Sequence, residues 1–496
     1  MGTSKRRSSE AALRLCLLIC GSLFLQFPKV AAQSSPDHII FNADIRTMNR
    51  ISPRAEAIAV RDGLISAVGT TAEIRKLAGE NTKSIDAQGR LLLPGFNDAH
   101  VHFAAIGNLF SSIDLSEAKR PEDVIARLRH FARFLPKGRW ILGGKLDPSV
   151  AIPLSEIDAA TPDNPLLVYH ADAKSAVTNS LAIRAARLSA AAGIVRDSQL
   201  AAVKFVVPAN HIRDLPAILE TASNYAASFG VTSVQDMHSD DLAIVARQLY
   251  RDGRLKTRIY DCVSLANWAK LAAVGTKAGS GDAMVRTGCV KGHYDEDDAG
   301  PASLGRDIAA ADSAGLQVMV HAIGPKANQA VLTAMKAAIR ANGTGDRRFR
   351  VEHARDLRPM DIARFSRSKI IPSMQPILFF SDSAGGSDDH RRLLDSGAQL
   401  ALGADAPMRG FNPLDGIHAA VNAGGKRGIT VEEAVYAYTM GAAFAEFQEK
   451  EKGSIEVGKL ADLVMLSADI FAEKTDIRAA FVVMTFVNGR VVYENK

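Results

Sequence analysis

Leu91–Phe103, LLLPGFNDAHVHF, runs from three leucines through a Pro94-Gly95 break to two histidines, His100 and His102, one residue apart. In an extended strand alternate side chains share a face, so both imidazoles reach one point in space. A histidine pair at the end of an apolar strand supplies two ligands to a divalent metal. Alone, the same pair reads equally well as two surface histidines in a loop. Residues farther along the chain separate these readings.

Downstream, strand-like and helix-like segments alternate. Apolar or β-branched runs occur at 230–236, 257–264, 288–293, 316–322, 349–354, 369–375 and 398–405. Helical patterns such as ANQAVLTAMKAAIRAN (327–342) and TVEEAVYAYTMGAAFAEF (430–447) lie between or after them. With the histidine strand this makes eight strands, most followed by a helix. The pattern predicts an α/β chain whose residues 93–451 form a (β/α)8 TIM barrel. Residues 112–225 break the alternation, with helix-like ARLRHFARFL and strand-like RWILGGKLD (139–147) and LLVYHADA (166–173). They are expected to form an insertion after strand 1 that lies over the barrel mouth and covers the substrate. If LLVYHADA were itself a barrel strand, the count would be nine.

Upstream of the histidines, residues 38–92 are short and strand-rich, with turns at Asp62-Gly63 and Gln88-Gly89. Residues 452–496 have the same texture and a hairpin signal at Asn488-Gly489. Neither end has enough strands to cover a hydrophobic face. One small β-sandwich domain built from both ends of the chain is the expectation.

The formal charge of the 496 residues is +6, of which residues 1–32 carry +4. The remaining +2 gives no electrostatic case for nucleic acid or an anionic membrane. Residues 1–32 read as a signal peptide: basic Lys5-Arg6-Arg7, apolar Leu15–Phe27, and small Val30-Ala31-Ala32 before a cleavage at Gln33. The apolar run is well short of the ~20 residues that span a bilayer. The expectation is export to periplasm or medium, with no membrane contact after cleavage and room for a homo-oligomer. Cys16 and Cys20 leave with the leader. Cys262 and Cys289 remain, a pair an exported chain can join but no disulfide framework.

In a (β/α)8 barrel the C-terminal strand ends converge on one pocket. At those ends stand His100, His102, Lys291, His321, His353 and Asp405. Each has a plain alternative: a core histidine, a turn-capping Asp405 before Ala406-Pro407, an anion-binding lysine. Five strands offering suitable ligand types together make a metal site.

PGFNDAHVHF, VMVHAIGPKANQA, RVEHARDLRPMDIARF, ALGADAPMRGFNPLDGI and EKGSIEVGKLADLVMLSAD resemble the amidohydrolase superfamily, and within it the YtcJ-like amidohydrolase family 3. The resemblance runs from about residue 38 to the end, in matching order. It implies a composite β-domain, a metal-bearing barrel and two divalent cations, usually zinc. His100, His102 and Asp405 would hold the buried ion, His321 and His353 the other. Lys291, carboxylated on its side-chain nitrogen, would bridge them and offset their repulsion. Asp405 would act as general base to a bridging hydroxide. Cys289, two residues before Lys291, is a rival bridge used by some relatives; the surroundings of Lys291 in VKGHYDEDDAG favour the lysine. The resemblance implies hydrolysis of a non-peptide amide, N-acyl or cyclic amide bond of a small molecule. Alternatives are an ester, lactone or phosphoester hydrolase on the same site, a mononuclear deaminase, or a binding protein. Asp147, Asp172 and Lys174 are the candidate substrate-binding residues. Asp172-Ala173-Lys174 departs from the family's Asp-Gly-His, and the acidic GHYDEDDAG from its Asp-Gly-Ser, so the substrate need not be a relative's.

Overall fold

The computed structural model describes residues 35–495, apart from 172–173, 190–192, 209–213, 238–241, 297, 299–301, 381–388 and 425. The leader and Asp172 therefore lie outside the described residues.

Eight parallel strands form the central sheet: β1 (Phe96–Val101), β2 (Val231–Met237), β3 (Arg258–Ser264), β4 (Val285–His293), β5 (Gln317–Ile323), β6 (Arg350–Arg355), β7 (Ile371–Met374) and β8 (Ala401–Leu402). Each pairs with the next in sequence. A parallel bridge between Val101 and Ala406 brings the chain just past β8 back to β1. The backbone N–H of Asp405 donates to the His100 carbonyl (2.7 Å), and that of His102 to the Ala406 carbonyl (3.0 Å). The ring is thus sewn together at the two segments that carry metal-capable side chains. Helices such as Leu242–Arg251, Ala302–Ser313, Pro325–Asn342 and Pro359–Ser368 fill the crossovers. Strands buried on both sides read as continuous apolar runs, which is why they stood out in the sequence.

The opening stretch is the hinge of the architecture. Leu91–Pro94 pairs antiparallel with Leu463–Leu466 and parallel with Asp44–Arg46, in a six-stranded sheet drawn from both chain ends. A second, four-stranded sheet packs on it through Ile40, Ile58, Val60, Leu92, Leu463 and Phe486. After Gly95 the chain enters β1. A Cβ at Gly95 would sit 2.2 Å from a Thr232 methyl carbon, so only glycine lets the chain pass from one sheet to the other so close to β2.

The composite sheets dock beneath the barrel through charge. Arg258, at the start of β3, is 2% exposed and grips Asp462 with both arms of its guanidinium (2.6 and 2.9 Å). The Asn488 backbone N–H donates to the same carboxylate (2.9 Å). Removing one partner of such a pair leaves a buried charge uncompensated. Arg258→Ala should lower the unfolding free energy by about 3–5 kcal/mol in urea denaturation. A loss below about 1 kcal/mol, the scale of a surface pair, would show that the pair does not fasten the two parts.

Within residues 112–225, strands Ile113–Asp114, Ile141–Leu146, Leu166–His170, Ser175–Thr178 and Ile194–Arg196 form a separate five-stranded sheet with its own apolar core. Leu166–His170, the described strand of LLVYHADA, therefore belongs to that sheet, and the barrel keeps eight strands. Inside the barrel, Cys262 and Cys289 form a disulfide between β3 and β4, packed with Met237, Tyr260 and Met319.

Candidate metal-dependent active site

All six predicted ligands line one cavity of about 1000 Å³ at the C-terminal ends of the strands. A larger hollow of about 1340 Å³ on the composite sheets contains none of them. The donor chemistry selects the barrel mouth.

Three ligand atoms, one each from His100, His102 and Asp405, lie within 4.8 Å of one another. Asp405 Oδ1 is 3.5 Å from His100 Nε2 and 3.4 Å from His102 Nε2. Those separations are too long for good hydrogen bonds. A tetrahedral ion with bonds of ~2.0–2.2 Å has ligand–ligand edges of roughly 3.3–3.6 Å, which they match. Asp405 Oδ1 and His353 Nδ1 are buried with no hydrogen-bond partner among the described residues. Orphaned buried polar atoms are rare in folded proteins and need an explanation. A divalent cation supplies one, so the residues fit the metal.

The imidazoles form a chain, with ring centroids 5.0 Å apart for His100 and His353 and 4.4 Å for His353 and His321. Burial, then neighbouring cationic groups, hold His353 well below its usual pKa and push His321 down to about 4. Both are neutral at physiological pH and keep a lone pair for a metal. Burial would raise the Asp405 carboxyl, but the surrounding histidines outweigh it and hold it below its ordinary value. Lys291, on β4, is lowered chiefly by burial.

Backbone geometry contributes to the convergence. His353 (φ 69°), Ala354 (φ 47°) and Asp405 (φ 53°) all adopt the left-handed region. Strain of this kind costs about 1–3 kcal/mol per residue and persists where the surroundings over-determine it, often at functional sites.

Several contributing residues escaped the sequence reading. Glu352 accepts from His100 Nδ1 at 2.6 Å, fixing the ring so that Nε2 faces Asp405. Burial pushes Glu352 up, yet Arg350 and His100 outweigh it and hold it well below the usual carboxylate range. Arg350 braces it at 2.8 Å and also donates to the Ala99 carbonyl (2.6 Å). Orienting carboxylates of this kind are worth roughly 10–100-fold in metal affinity. Glu352→Gln should weaken metal binding by that factor in a chelator competition, and unchanged affinity would remove the orienting role. Asp98 accepts from the backbone N–H groups of His100 (3.1 Å) and Ala404 (3.0 Å), tying the two ligand segments together. Burial pushes its pKa up to about 7. Outside this ligand set, His293 and Asp295 of the acidic GHYDEDDAG stretch approach His321.

The substrate-binding expectations fare differently. Asp147 Oδ1 accepts from the Ser149 N–H (2.9 Å) and hydroxyl (2.7 Å), which is the chemistry of a turn. Neither Asp147 nor Lys174 lines the cavity, and no described residue of 112–225 does. The covering role expected of that segment has no contact with the cavity among the described residues. Cys289 faces the barrel interior, bonded to Cys262, and is not a bridging ligand.

The sequence profile of the amidohydrolase family matches residues 83–493. The chain belongs to the amidohydrolase family. It is 30% identical to Protein LONG AFTER FAR-RED 3 of Arabidopsis thaliana, over 92% of this chain and 91% of that one. It is 27% identical to the putative amidohydrolase YtcJ of Bacillus subtilis, over 91% and 98%. It is 24% identical to the N-substituted formamide deformylase of Arthrobacter pascens, over 92% and 98%. An uncharacterized metal-dependent hydrolase from Pyrococcus furiosus has the same fold, with a TM-score of 0.62 at 24% identity, over 88% of this chain and all of that one. This amidohydrolase is accordingly an enzyme, and its barrel mouth carries the ligand chemistry of a metal-dependent hydrolase.

Proposed function

We propose that this amidohydrolase is exported and hydrolyses a carbon–nitrogen bond of a small molecule, such as an N-acyl or cyclic amide, at a two-metal site. The reading rests on Asp405, whose buried oxygen stands at metal-edge distance from both His100 and His102. His100, His102 and Asp405 would hold one divalent ion, His321 and His353 the other. Zinc suits the imidazole-rich set. Bound divalent ions supply Lewis acidity, lowering the pKa of water toward ~7 and polarising a carbonyl.

Two cations need an anion between them. Lys291 can provide it. Burial favours its neutral amine, the form whose lone pair attacks carbon dioxide. The N–C bond forms, one proton leaves to solvent, and a carbamate with a single negative charge remains. Glu352, by locking His100, keeps one Nε2 lone pair directed at Asp405. Asp405, ionised at neutral pH, is the group able to take a proton from water and return it to the departing nitrogen. An amine leaves readily only when protonated, so that shuttle is what an amide requires.

The Cys262–Cys289 bond and the leader-like N-terminus both favour an oxidising destination. The N-substituted formamide deformylase among the relatives makes N-substituted formamides the first substrates to try.

The test pairs metal analysis of the purified mature chain with a panel of formamides, N-acyl amines, cyclic amides, esters, lactones and phosphoesters. About two equivalents of metal and amide turnover are expected. Turnover confined to esters, lactones or phosphoesters would replace the carbon–nitrogen reading. About one equivalent in the active enzyme would replace the two-metal one.

A further inference from the structure

We propose that His293, Asp295 and His321 form an outer divalent-cation site at the barrel mouth, weaker than the inner site and antagonistic to it. His293 ends β4 and is in direct register with His321 on β5. The two rings lie face to face, with centroids 4.1 Å apart and planes 21° apart. Asp295 then folds back over them: Oδ1 is 3.3 Å from His321 Nε2, and Oδ2 is 3.6 Å from His293 Nε2. One ligand atom from each residue falls within 4.8 Å of the other two, as in the inner group of His100, His102 and Asp405.

The distances distinguish a metal site from a hydrogen-bonded cluster. A carboxylate that orients a histidine in this barrel does so at 2.6 Å, as Glu352 does with His100. Both contacts of Asp295 are longer than the 2.7–3.2 Å of a sound N–H···O bond. Each contact, one from each Asp295 oxygen, has the length of a ligand–ligand edge around a tetrahedral ion with bonds of ~2.0–2.2 Å, roughly 3.3–3.6 Å. Two imidazoles and one carboxylate make a three-residue ligand set with a position left for water. The segment is held in place: the Tyr294 N–H donates to the His321 carbonyl (3.2 Å), and the Asp295 N–H to Asp298 Oδ2 (2.7 Å). Side-chain exposures of 60% for His293 and 51% for Asp295 make the outer site the wetter one, hence the weaker.

The antagonism follows from His321. A neutral imidazole has one lone pair, its other nitrogen being an N–H. It can bind one cation at a time. An ion seated against His293 and Asp295 takes that lone pair and strips a ligand from the inner ion beside His353. Metal in excess of the inner requirement therefore slows the enzyme. The antagonism rests on the two-metal reading above, whereas the outer site itself stands on its own three residues.

The test is a calorimetric titration of metal-stripped mature enzyme with Zn²⁺, run on the natural sequence, His293→Ala and Asp295→Asn. The expected result is a tight class of about two ions plus a weaker class of about one. Both variants should lose the weaker class and retain the tight one. Hydrolysis should fall at high Zn²⁺ in the natural sequence but not in His293→Ala. A weaker class of equal size and affinity in both variants would overturn the outer site. Loss of the weaker class without relief of inhibition would overturn the antagonism. Absence of the tight class from the natural sequence would instead sink the two-metal reading, so the failures are distinguishable. Both replaced side chains are exposed, and circular dichroism confirms that each variant is folded.

Discussion

Asp405→Asn is expected to lower kcat by roughly 10²–10⁴-fold, the range that a positioned general acid–base group supplies. Asparagine has the shape of aspartate but neither its charge nor its basicity. The variant keeps the steric fit of a residue in the left-handed region, a conformation Asn tolerates well. What it loses is the charge on the group facing both His100 and His102 (3.5 and 3.4 Å), and with it both an anionic ligand and a proton acceptor. Two measurements separate those roles. Metal content, compared with the natural sequence at saturating Zn²⁺, reports the ligand. The kcat/KM pH profile reports the base: its acid limb, where the Asp405 carboxylate takes up a proton, should disappear. The histidines hold the Asp405 carboxyl below its ordinary value, so that limb lies on the acid side of an ordinary aspartate. A fully loaded Asp405→Asn enzyme with near-normal kcat would remove Asp405 from proton transfer.

The parts of this site that were legible in the sequence follow simple periodicities. His100 and His102 share a face because they are two apart in a strand, and the apolar runs before Lys291, His321, His353 and Asp405 mark strands buried on both sides. Glu352 could not be read that way. It immediately precedes His353, and consecutive strand residues normally point to opposite faces. The left-handed backbone at His353 and Ala354 breaks the alternation, so that Glu352 reaches His100 while the next residue, His353, lines the cavity. β8 was equally opaque. Only Ala401–Leu402 of the expected 398–405 run forms a strand, and Asp405 reaches the site through a backbone bond to His100. Gly403 explains the tight fit there: a Cβ at that position would meet the His100 nitrogen at 2.5 Å and Asp98 Oδ1 at 2.6 Å. The acidic segment after Lys291 is unusual in the sequence itself. Its pairing with His321 depends on the parallel register of β4 and β5, which local pattern does not encode. Asp147 is placed by its turn, its carboxylate accepting from Ser149 two residues on, a bond that an aspartate before proline makes locally.

Lys291→Ala should abolish measurable hydrolysis and cut metal content, with activity returning when short carboxylic acids are added. Lys291 stands on β4 and lines the same cavity as all five other ligands. As an ammonium it would repel both cations, so a bare lysine there opposes metal loading. Burial lowers the Lys291 pKa, and although Glu352 and Asp405 push the other way, burial wins. Carboxylation turns an unfavourable cation into an anion at the same position. Truncation to alanine would remove that proposed anion and open a gap of several side-chain atoms. Acetate or propionate, carrying the same two oxygens, can enter that gap and restore the charge between the ions. Rescue should therefore saturate with acid concentration, recover metal content together with turnover, and fail with uncharged amides of equal size. Depletion of carbon dioxide during metal loading should mimic the substitution in the natural sequence and be reversed by bicarbonate. Full activity of Lys291→Ala without added acid would assign the bridging charge elsewhere. Cys289 could not take it over, because its sulfur is bonded to Cys262 inside the barrel.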